Sequence, residues 1–250
     1  MSARDYFSGC SGQYAAFRPR YPRELFEWVS SVTPGHDRVW DCACGNGQAS
    51  VGLAQHYKEV CATDLSDKQI ANAQLHPRIN YRVALAENCG LPDDSVDLVT
   101  VAQALHWLDL PKFYREARRV ARSGALLAVW CYGVCELPGS SGNADLQHFY
   151  STTVGPFWAP ERHLVESGYR TMNFPAPELP TPTMAMRLDW TLEQLLGYVS
   201  SWSATARYIN ERGIDPIPRL RSALLPHWGE PTEPRPVHWP LSIRAAPLRA

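Results

Sequence analysis

The sequence lacks the features that would assign it to a membrane or to nucleic acid. No uncharged apolar run approaches the roughly 18 residues of a transmembrane helix, and the stretch from Met1 to Asp5 holds no apolar signal-peptide core. Neither charge is in excess, because 24 Lys and Arg oppose 25 Asp and Glu, without the basic surplus that usually accompanies phosphate binding. We therefore expect a cytoplasmic protein with no membrane and no nucleic-acid partner.

A metal-binding pattern is also lacking. The seven cysteines are odd in number, and several lie in segments with the pattern of buried strands, so we expect reduced and inert thiols. A zinc site formed by Cys42, Cys44, Cys131 and Cys135 is an alternative, but these pairs have no nearby histidine pair. We predict no metal.

The sequence does contain alternating strand and helix patterns, from about residue 23 to residue 132. With 250 residues and 45% hydrophobic content, the chain can bury one large core. The strands predicted in this region are 38–42, 59–63, 80–84, 96–102 and 124–130. Such alternation predicts an α/β fold with a doubly wound, mostly parallel sheet, which binds ligands at the carboxyl ends of its strands.

Composition changes after Tyr132, where proline, glycine and serine become frequent. We predict a single domain, 1–250, with an N-terminal lid segment (1–22), a cofactor-binding core (23–132), an irregular helical cap that holds substrate (133–235) and a final strand (236–246). We predict that this last strand lies at an edge of the sheet, because Pro240 has no backbone N–H to donate to a neighbouring strand.

The turn after the first strand is the most informative motif. Its two glycines, Gly45 and Gly47, permit tight backbone conformations and close approach of a ligand, and the helix that follows offers free N–H groups. The turn lacks the Gly-Lys-Ser/Thr ending of a P-loop, and Ser50 stands where the dinucleotide fingerprint has its third glycine. The turn therefore predicts a nucleotide-like cofactor without deciding which one.

Three motifs in order narrow the choice: the turn from Asp41 to Gly47, then Asp64, then the segment from Ala86 to Val99. This series resembles the class I S-adenosylmethionine-dependent methyltransferases, most closely the small-molecule branch typified by trans-aconitate methyltransferase. The segments Tyr14–Pro22 and Ala104–Trp107 are similar to that branch too. The resemblance implies a seven-stranded Rossmann-like fold, S-adenosyl-L-methionine as cofactor and a small-molecule acceptor.

The resemblance also implies cofactor-binding roles. Asp41 would lie beneath the methionine part, the glycine turn would wrap that part and the ribose, and Asp64 would accept the ribose hydroxyls. The remaining residues would border the adenine or support the methionine chain. The predicted set is Asp41, Ala43, Cys44, Gly45, Asn46, Gly47, Asp64, Leu65, Ala86, Glu87, Gln103 and Ala104. One departure is Ala43, which stands where the family usually has glycine.

On the acceptor side, His106 is a candidate base for a hydroxyl or amine at neutral pH; its alternative is a role in the pocket wall. Tyr14 and Arg18 are further catalytic candidates, because a carboxylate acceptor needs no base and favours arginine or tyrosine donors. The candidate substrate residues are Trp107, Tyr132, Trp202, Arg207 and Tyr208. Packing of the cap onto the core is the alternative role for the aromatic residues among them.

Other functions share parts of the pattern. An NAD(P)-dependent oxidoreductase shares the acid after the second strand but calls for a third glycine. A nucleic-acid methyltransferase is opposed by the neutral charge. A non-catalytic protein with a relic cofactor site is suggested by Ala43. The sequence gives no indication of oligomeric state.

Overall fold

The computed structural model describes residues 19–249, in which helices cover both faces of one sheet. Its strands are β1 (Arg38–Cys42), β2 (Glu59–Asp64), β3 (Ile79–Val83), β4 (Val96–Ala102), β5 (Ala121–Tyr132), β6 (Met184–Trp190) and β7 (Arg235–Pro247). The α-helices are α1 (Arg23–Val32), α2 (Gln48–Leu53), α3 (Asp67–Ala71), α4 (Leu110–Val120), α5 (Gly142–His148), α6 (Arg162–Glu166), α7 (Leu192–Ser200), α8 (Ser203–Arg212) and α9 (Ile217–Trp228). Short 3-10 helices span Leu105–Trp107 and Gly155–Phe157, and a π-helical turn spans Phe149–Thr153.

The strand order is β3-β2-β1-β4-β5-β7-β6. The first five strands run parallel, and β7 pairs antiparallel with both β5 and β6. This confirms the predicted α/β fold with a doubly wound, mostly parallel seven-stranded sheet. The chain winds outward from β1 in two directions, so β1 and β4 flank the switch point at which such sheets bind ligands.

Two apolar layers hold the sheet between its helices. On one face, α1 and α2 bury Leu25, Val29 and Leu53 against the sheet. On the other, α4 buries Phe113 and Ala117. Since β4 and β5 are covered on both sides, they read as nearly unbroken apolar runs, which is why both were predictable from sequence.

The predicted edge position of the final strand is wrong. β7 lies between β5 and β6, and the edge strand is β6, within the segment 133–235 that we had assigned to an irregular cap. The burial of β6 does not alternate regularly, and its partner comes 45 or more residues later in the chain (Trp190 to Arg235), so local sequence carries little signal for it.

Pro240 is tolerated inside the sheet because of where it lies along β7. His238 exchanges two backbone hydrogen bonds with Glu136, which follows β5. Because backbone groups alternate in direction along a strand, the nitrogen of Pro240 faces the same side as that of His238, toward β5. The pairing of β7 with β5 begins only at Leu241, opposite Tyr132. The missing N–H of Pro240 therefore removes no ladder bond with β5.

Candidate functional site

Asp41 ties together the elements at the switch point. Its side chain is fully buried at the end of β1 and accepts hydrogen bonds from Ser50 Oγ at 2.5 Å and Thr100 Oγ1 at 2.8 Å. These bonds join β1 to α2 and to β4. Burial, only partly offset by the two hydroxyl donors, raises the pKa of Asp41 to about 6.

The turn after β1 is fixed to the end of β2. Cys44 N–H donates to Thr63 O at 3.0 Å, and Gly47 N–H donates to Cys44 O at 3.0 Å. Ala43 holds the left-handed conformation, with φ of +55°, that normally selects glycine. The departure noted in the sequence is thus a backbone position at which alanine is strained.

Asp64 connects the turn to the next helix. One carboxylate oxygen accepts Gly45 N–H at 2.8 Å, and the other accepts Ser66 N–H at 2.8 Å. Ser66 in turn caps α3 by accepting Gln69 N–H. Among the described residues these are the two hydrogen bonds of the carboxylate, and about two of its four lone-pair sites are left for a ligand.

The two glycines of the turn have different surroundings. Among residues 19–249, a Cβ built on Gly45 would meet one atom within 4 Å, Gln69 Oε1 at 3.9 Å, so these residues leave the turn open there. A Cβ on Gly47 would lie 2.0 Å from the Tyr81 hydroxyl. Gly45 therefore leaves room for a ligand, whereas Gly47 leaves room for Tyr81.

The residues predicted to border the adenine lie close to this turn. Leu65 has an exposed side chain, Asn46 is exposed, and Ala86 packs against the apolar layer that contains Cys42. Glu87 is half-buried, and its charge adds to the burial that raises the pKa of the Cys42 thiol. These residues lie at the ends of β1, β2 and β3, where an extended ligand can reach them.

Gln103 closes the gap between the ends of β4 and β5. Its side-chain amide accepts from Tyr132 N–H at 2.8 Å and donates to Tyr132 O at 3.0 Å. Its own backbone is left-handed, with φ of +56°, and its N–H donates to Trp130 O. Ala104, the next residue, is buried beside Leu105. Gln103 thus positions Tyr132, a link between two predicted site residues that sequence alone does not show.

His106 lies on the 3-10 helix after β4. Its Nδ1 is 2.8 Å from the Tyr169 hydroxyl, and its Nε2 has no hydrogen bond among residues 19–249. Burial and then the positive charge of Arg162 lower the pKa of His106 to about 4, so the imidazole is neutral at pH 7. A neutral ring with Nε2 available has the form that a base requires.

The acceptor-side predictions are only partly brought together. Trp107 stacks beside His106 with ring centroids 4.6 Å apart, and Tyr132 is buried at the end of β5. Arg207 Nη1 donates to Phe157 O at 3.3 Å, and the ring of Tyr208 lies 5.1 Å from that of Phe157. Trp202 belongs to a separate aromatic group described below. Tyr14 and Arg18 lie outside the described residues.

The sequence predicted a cap in this part of the chain, but not the residues by which it covers this end of the sheet. Arg162 begins α6 and donates through Nε to the Tyr150 hydroxyl at 2.7 Å. The rings of Tyr150, Trp158 and Trp202 lie 5.1 to 5.7 Å from one another. The surrounding Pro- and Gly-rich sequence has neither motif nor periodicity, so nothing in it singled out Arg162 or Tyr150.

Residues 19–249 lack two features that other functions would need. No group of three His, Cys, Asp or Glu side chains is arranged to hold a metal ion. None of the helices described combines the length and apolar character of a bilayer-crossing segment.

Comparison with known proteins agrees with this geometry. Residues 40–129 match the family described as "Methyltransferase domain". A "Putative methyltransferase" of Dictyostelium discoideum is 35% identical over 88% of this chain and 85% of its own length. A solved structure, a "Putative Type II Methyltransferase" from Anaeromyxobacter dehalogenans, is 44% identical with a TM-score of 0.89, over 93% of this chain and 99% of that one.

The chain belongs to the class I S-adenosylmethionine-dependent methyltransferases. The predicted class, enzyme type and cofactor are confirmed, and the NAD(P)-dependent alternative is disfavoured. The narrower resemblance to trans-aconitate methyltransferase stays a prediction. The residues of this methyltransferase fit its cofactor, because the Asp64 carboxylate keeps acceptor sites for ribose hydroxyls and Gly45 leaves space beside it.

Proposed function

We propose that this methyltransferase transfers the sulfonium methyl of S-adenosylmethionine to a small-molecule acceptor that bears a carboxylate or a hydroxyl. The pairing of Asp64 with Gly45 supports the cofactor part of the proposal, because it holds a hydrogen-bond acceptor and an open backbone turn side by side at the switch point. The acceptor part is supported by His106, whose Nδ1 is engaged by Tyr169 and whose ring lies beside Trp107. When bound, the cofactor supplies a methyl group that a nucleophile attacks in line with the sulfur.

The cofactor residues divide by position in this proposal. Asp64 accepts the ribose hydroxyls, and the turn from Ala43 through Cys44, Gly45 and Asn46 to Gly47 encloses the ribose and methionine part above Asp41. Leu65, Ala86 and Glu87 border the adenine, while Gln103 and Ala104 face the methionine chain. Support comes from the convergence of these residues on the ends of β1 to β4.

The acceptor side contributes alignment and exclusion of water more than acid–base chemistry, because a sulfonium is already a good leaving group. For a hydroxyl acceptor, His106 Nε2 takes the proton. For a carboxylate acceptor no proton moves, and donors from the cap hold the anion. Trp107 and Tyr132 form the wall nearest His106, with Trp202, Arg207 and Tyr208 contributing from the cap.

A screen with radiolabelled S-adenosylmethionine and a library of small acids, alcohols and amines tests the proposal. We expect labelled product from acids or alcohols, and none from nucleic acid or protein substrates. Label transferred to RNA, DNA or a protein, with no small molecule accepted, would contradict the small-molecule assignment.

A further inference from the structure

The segment from Arg162 to Tyr169 lies across the carboxyl ends of β4 and β5. Cys131, near the end of β5, places its Sγ 3.7 Å from Val165 O, and Tyr169 reaches His106 Nδ1 at 2.8 Å. The helix α6 thus brings Arg162, its first residue, to the end of the sheet at which His106 and Tyr132 lie.

The guanidinium of Arg162 is held in place by aromatic groups. Its Nε donates to the Tyr150 hydroxyl, and its Cζ lies over the Trp158 ring, 4.7 Å from the centroid. The same hydroxyl donates to Glu166 Oε1 at 2.5 Å. The Glu166 carboxylate is therefore hydrogen-bonded to Tyr150. These contacts fix the orientation of the guanidinium, and within residues 19–249 its two terminal nitrogens form no hydrogen bond.

Within the described part of the chain, Arg162 lacks the carboxylate partner that three other arginines have. Arg119, Arg122 and Arg244 each form an ion pair with a carboxylate. Among residues 19–249, Arg162 has no carboxylate within ion-pair distance, and its Nη1 and Nη2 have no hydrogen bond. A half-buried cation without a counter-charge is unfavourable, which is a common property of groups that bind an anionic ligand.

The charge of Arg162 also reaches the candidate site. It adds to the burial that lowers the pKa of His106, and it opposes the effect of burial on the Cys131 thiol. Because α6 packs over the end of β5 and Tyr169 contacts His106, an anion bound to Arg162 would lie on the acceptor side of the site. The aromatic rings of Trp158 and Trp202 next to it offer an apolar surface for the rest of the molecule.

We propose that Arg162 binds a carboxylate of the methyl acceptor through Nη1 and Nη2, and so selects carboxylic acids. The inference rests on the proposed function and specifies its substrate class. A single guanidinium matches the single charge and planar geometry of a carboxylate, and the Tyr150 contact through Nε leaves the two terminal nitrogens to form a two-pronged pair.

Calorimetry with matched probes tests the proposal. Phenylacetate, hexanoate and adipate, each beside its primary amide, are titrated into the full-length protein with and without S-adenosylhomocysteine. We expect at least one acid to bind roughly tenfold or more tighter than its amide, the range for charge-assisted hydrogen bonds. Absence of binding by every acid, or equal affinity for acid and amide, overturns the proposal.

The variants separate recognition from packing. Arg162→Met should abolish the preference for acid over amide, and Arg162→Lys should retain part of it because the charge stays while the planar fork is lost. A purely structural role would weaken acid and amide equally. Arg187→Met, an exposed arginine on β6, should leave the preference unchanged. A preference that persists in Arg162→Met, or in Arg162→Gln if the first variant fails to fold, overturns the proposal.

Binding of S-adenosylhomocysteine is measured in the same samples. Arg162→Met should bind it as the parent protein does, because Arg162 lies on the acceptor side. Failure of the parent protein to bind it contradicts the proposed function, whereas the acid preference of the free protein still decides the role of Arg162.

Discussion

The carboxylate of Asp64 accepts the backbone N–H of Gly45 at 2.8 Å, so the end of β2 sets the conformation of the turn after β1. The opposite carboxylate oxygen binds Ser66 N–H, and the same side chain therefore orients the turn and the start of α3. Any ligand that uses the remaining acceptor sites of Asp64 is held by an already ordered group. Preorganisation of this kind reduces the entropic cost of binding.

Ala43 provides a test of backbone strain in this turn. Because its φ is +55°, Ala43→Gly should relieve about 1 kcal/mol of strain, reduced by the greater freedom of glycine in the unfolded chain. We expect the free energy of unfolding to stay level or rise by up to about 1 kcal/mol. Denaturant titration measures it, with Ala144→Gly in the exposed part of α5 as a control that should lose about 1 kcal/mol. Equal losses in both variants would contradict the strain.

Gly45 and Gly47 should respond differently to substitution by alanine. Gly47→Ala places a methyl group 2.0 Å from the Tyr81 hydroxyl at φ of +87°, and should lower the free energy of unfolding by more than about 2 kcal/mol. Gly45→Ala adds only conformational strain of about 1 kcal/mol but fills the open side of the turn. Its main effect should be weaker binding of S-adenosylhomocysteine, measured by calorimetry. A larger stability loss for Gly45→Ala than for Gly47→Ala would contradict the close contact between Gly47 and Tyr81.

Asp41 predicts a pH dependence of stability. Its pKa is raised from 3.8 to about 6 in the folded protein, so the folded state favours the protonated carboxyl. Its stabilising effect is complete below pH 4 and is lost as the pH rises through 6, by about 2 kcal/mol between pH 4.5 and pH 7.5. The free energy of unfolding of the parent protein minus that of Asp41→Asn should fall by this amount.

Urea titrations at the two pH values measure that difference. Asp189→Asn, an exposed change on β6, should show no comparable trend. A parent-minus-variant difference that is constant, or that grows with pH, would contradict the burial of a raised-pKa carboxyl at this position.

His106 should be neutral throughout the neutral range. Burial and the charge of Arg162 lower its pKa to about 4, and Tyr169 engages Nδ1. Nitrogen-15 NMR of the imidazole should therefore show no titration between pH 6 and pH 8, and Arg162→Met should raise the pKa because a positive charge is removed. An imidazole that titrates near 6.5 would show that the ring is solvated and unaffected by Arg162.

The sequence was sufficient for the half of the fold in which neighbouring segments pair in order. β1, β2, β4 and β5 each contain an apolar run, whereas β3 is largely exposed and was predicted from its place in the alternation of strands and helices. Asp41, Asp64 and the glycine turn followed from their motif order. The capping box of α7, in which Thr191 and Gln194 exchange hydrogen bonds, is another feature set by residues close in sequence.

Long-range pairing was what escaped prediction. The edge strand β6 is defined by its register with β7, and no local pattern marks it. Arg162 is notable because it forms no ion pair with any other described residue, which becomes visible once its neighbours are known. The strain at Ala43 and the contact between Gln103 and Tyr132 likewise depend on backbone conformation and distant partners.

Calorimetric titration of S-adenosylhomocysteine into the parent protein, Asp64→Asn and Asp67→Asn measures whether Asp64 holds the cofactor. Asparagine keeps one acceptor oxygen at position 64 but loses the other, whereas Asp67 is exposed at the start of α3 and should be neutral to change. We predict micromolar binding by the parent and by Asp67→Asn, and affinity roughly tenfold or more weaker for Asp64→Asn. No binding by the parent, or equal affinity in all three proteins, would contradict the assignment of the cofactor site.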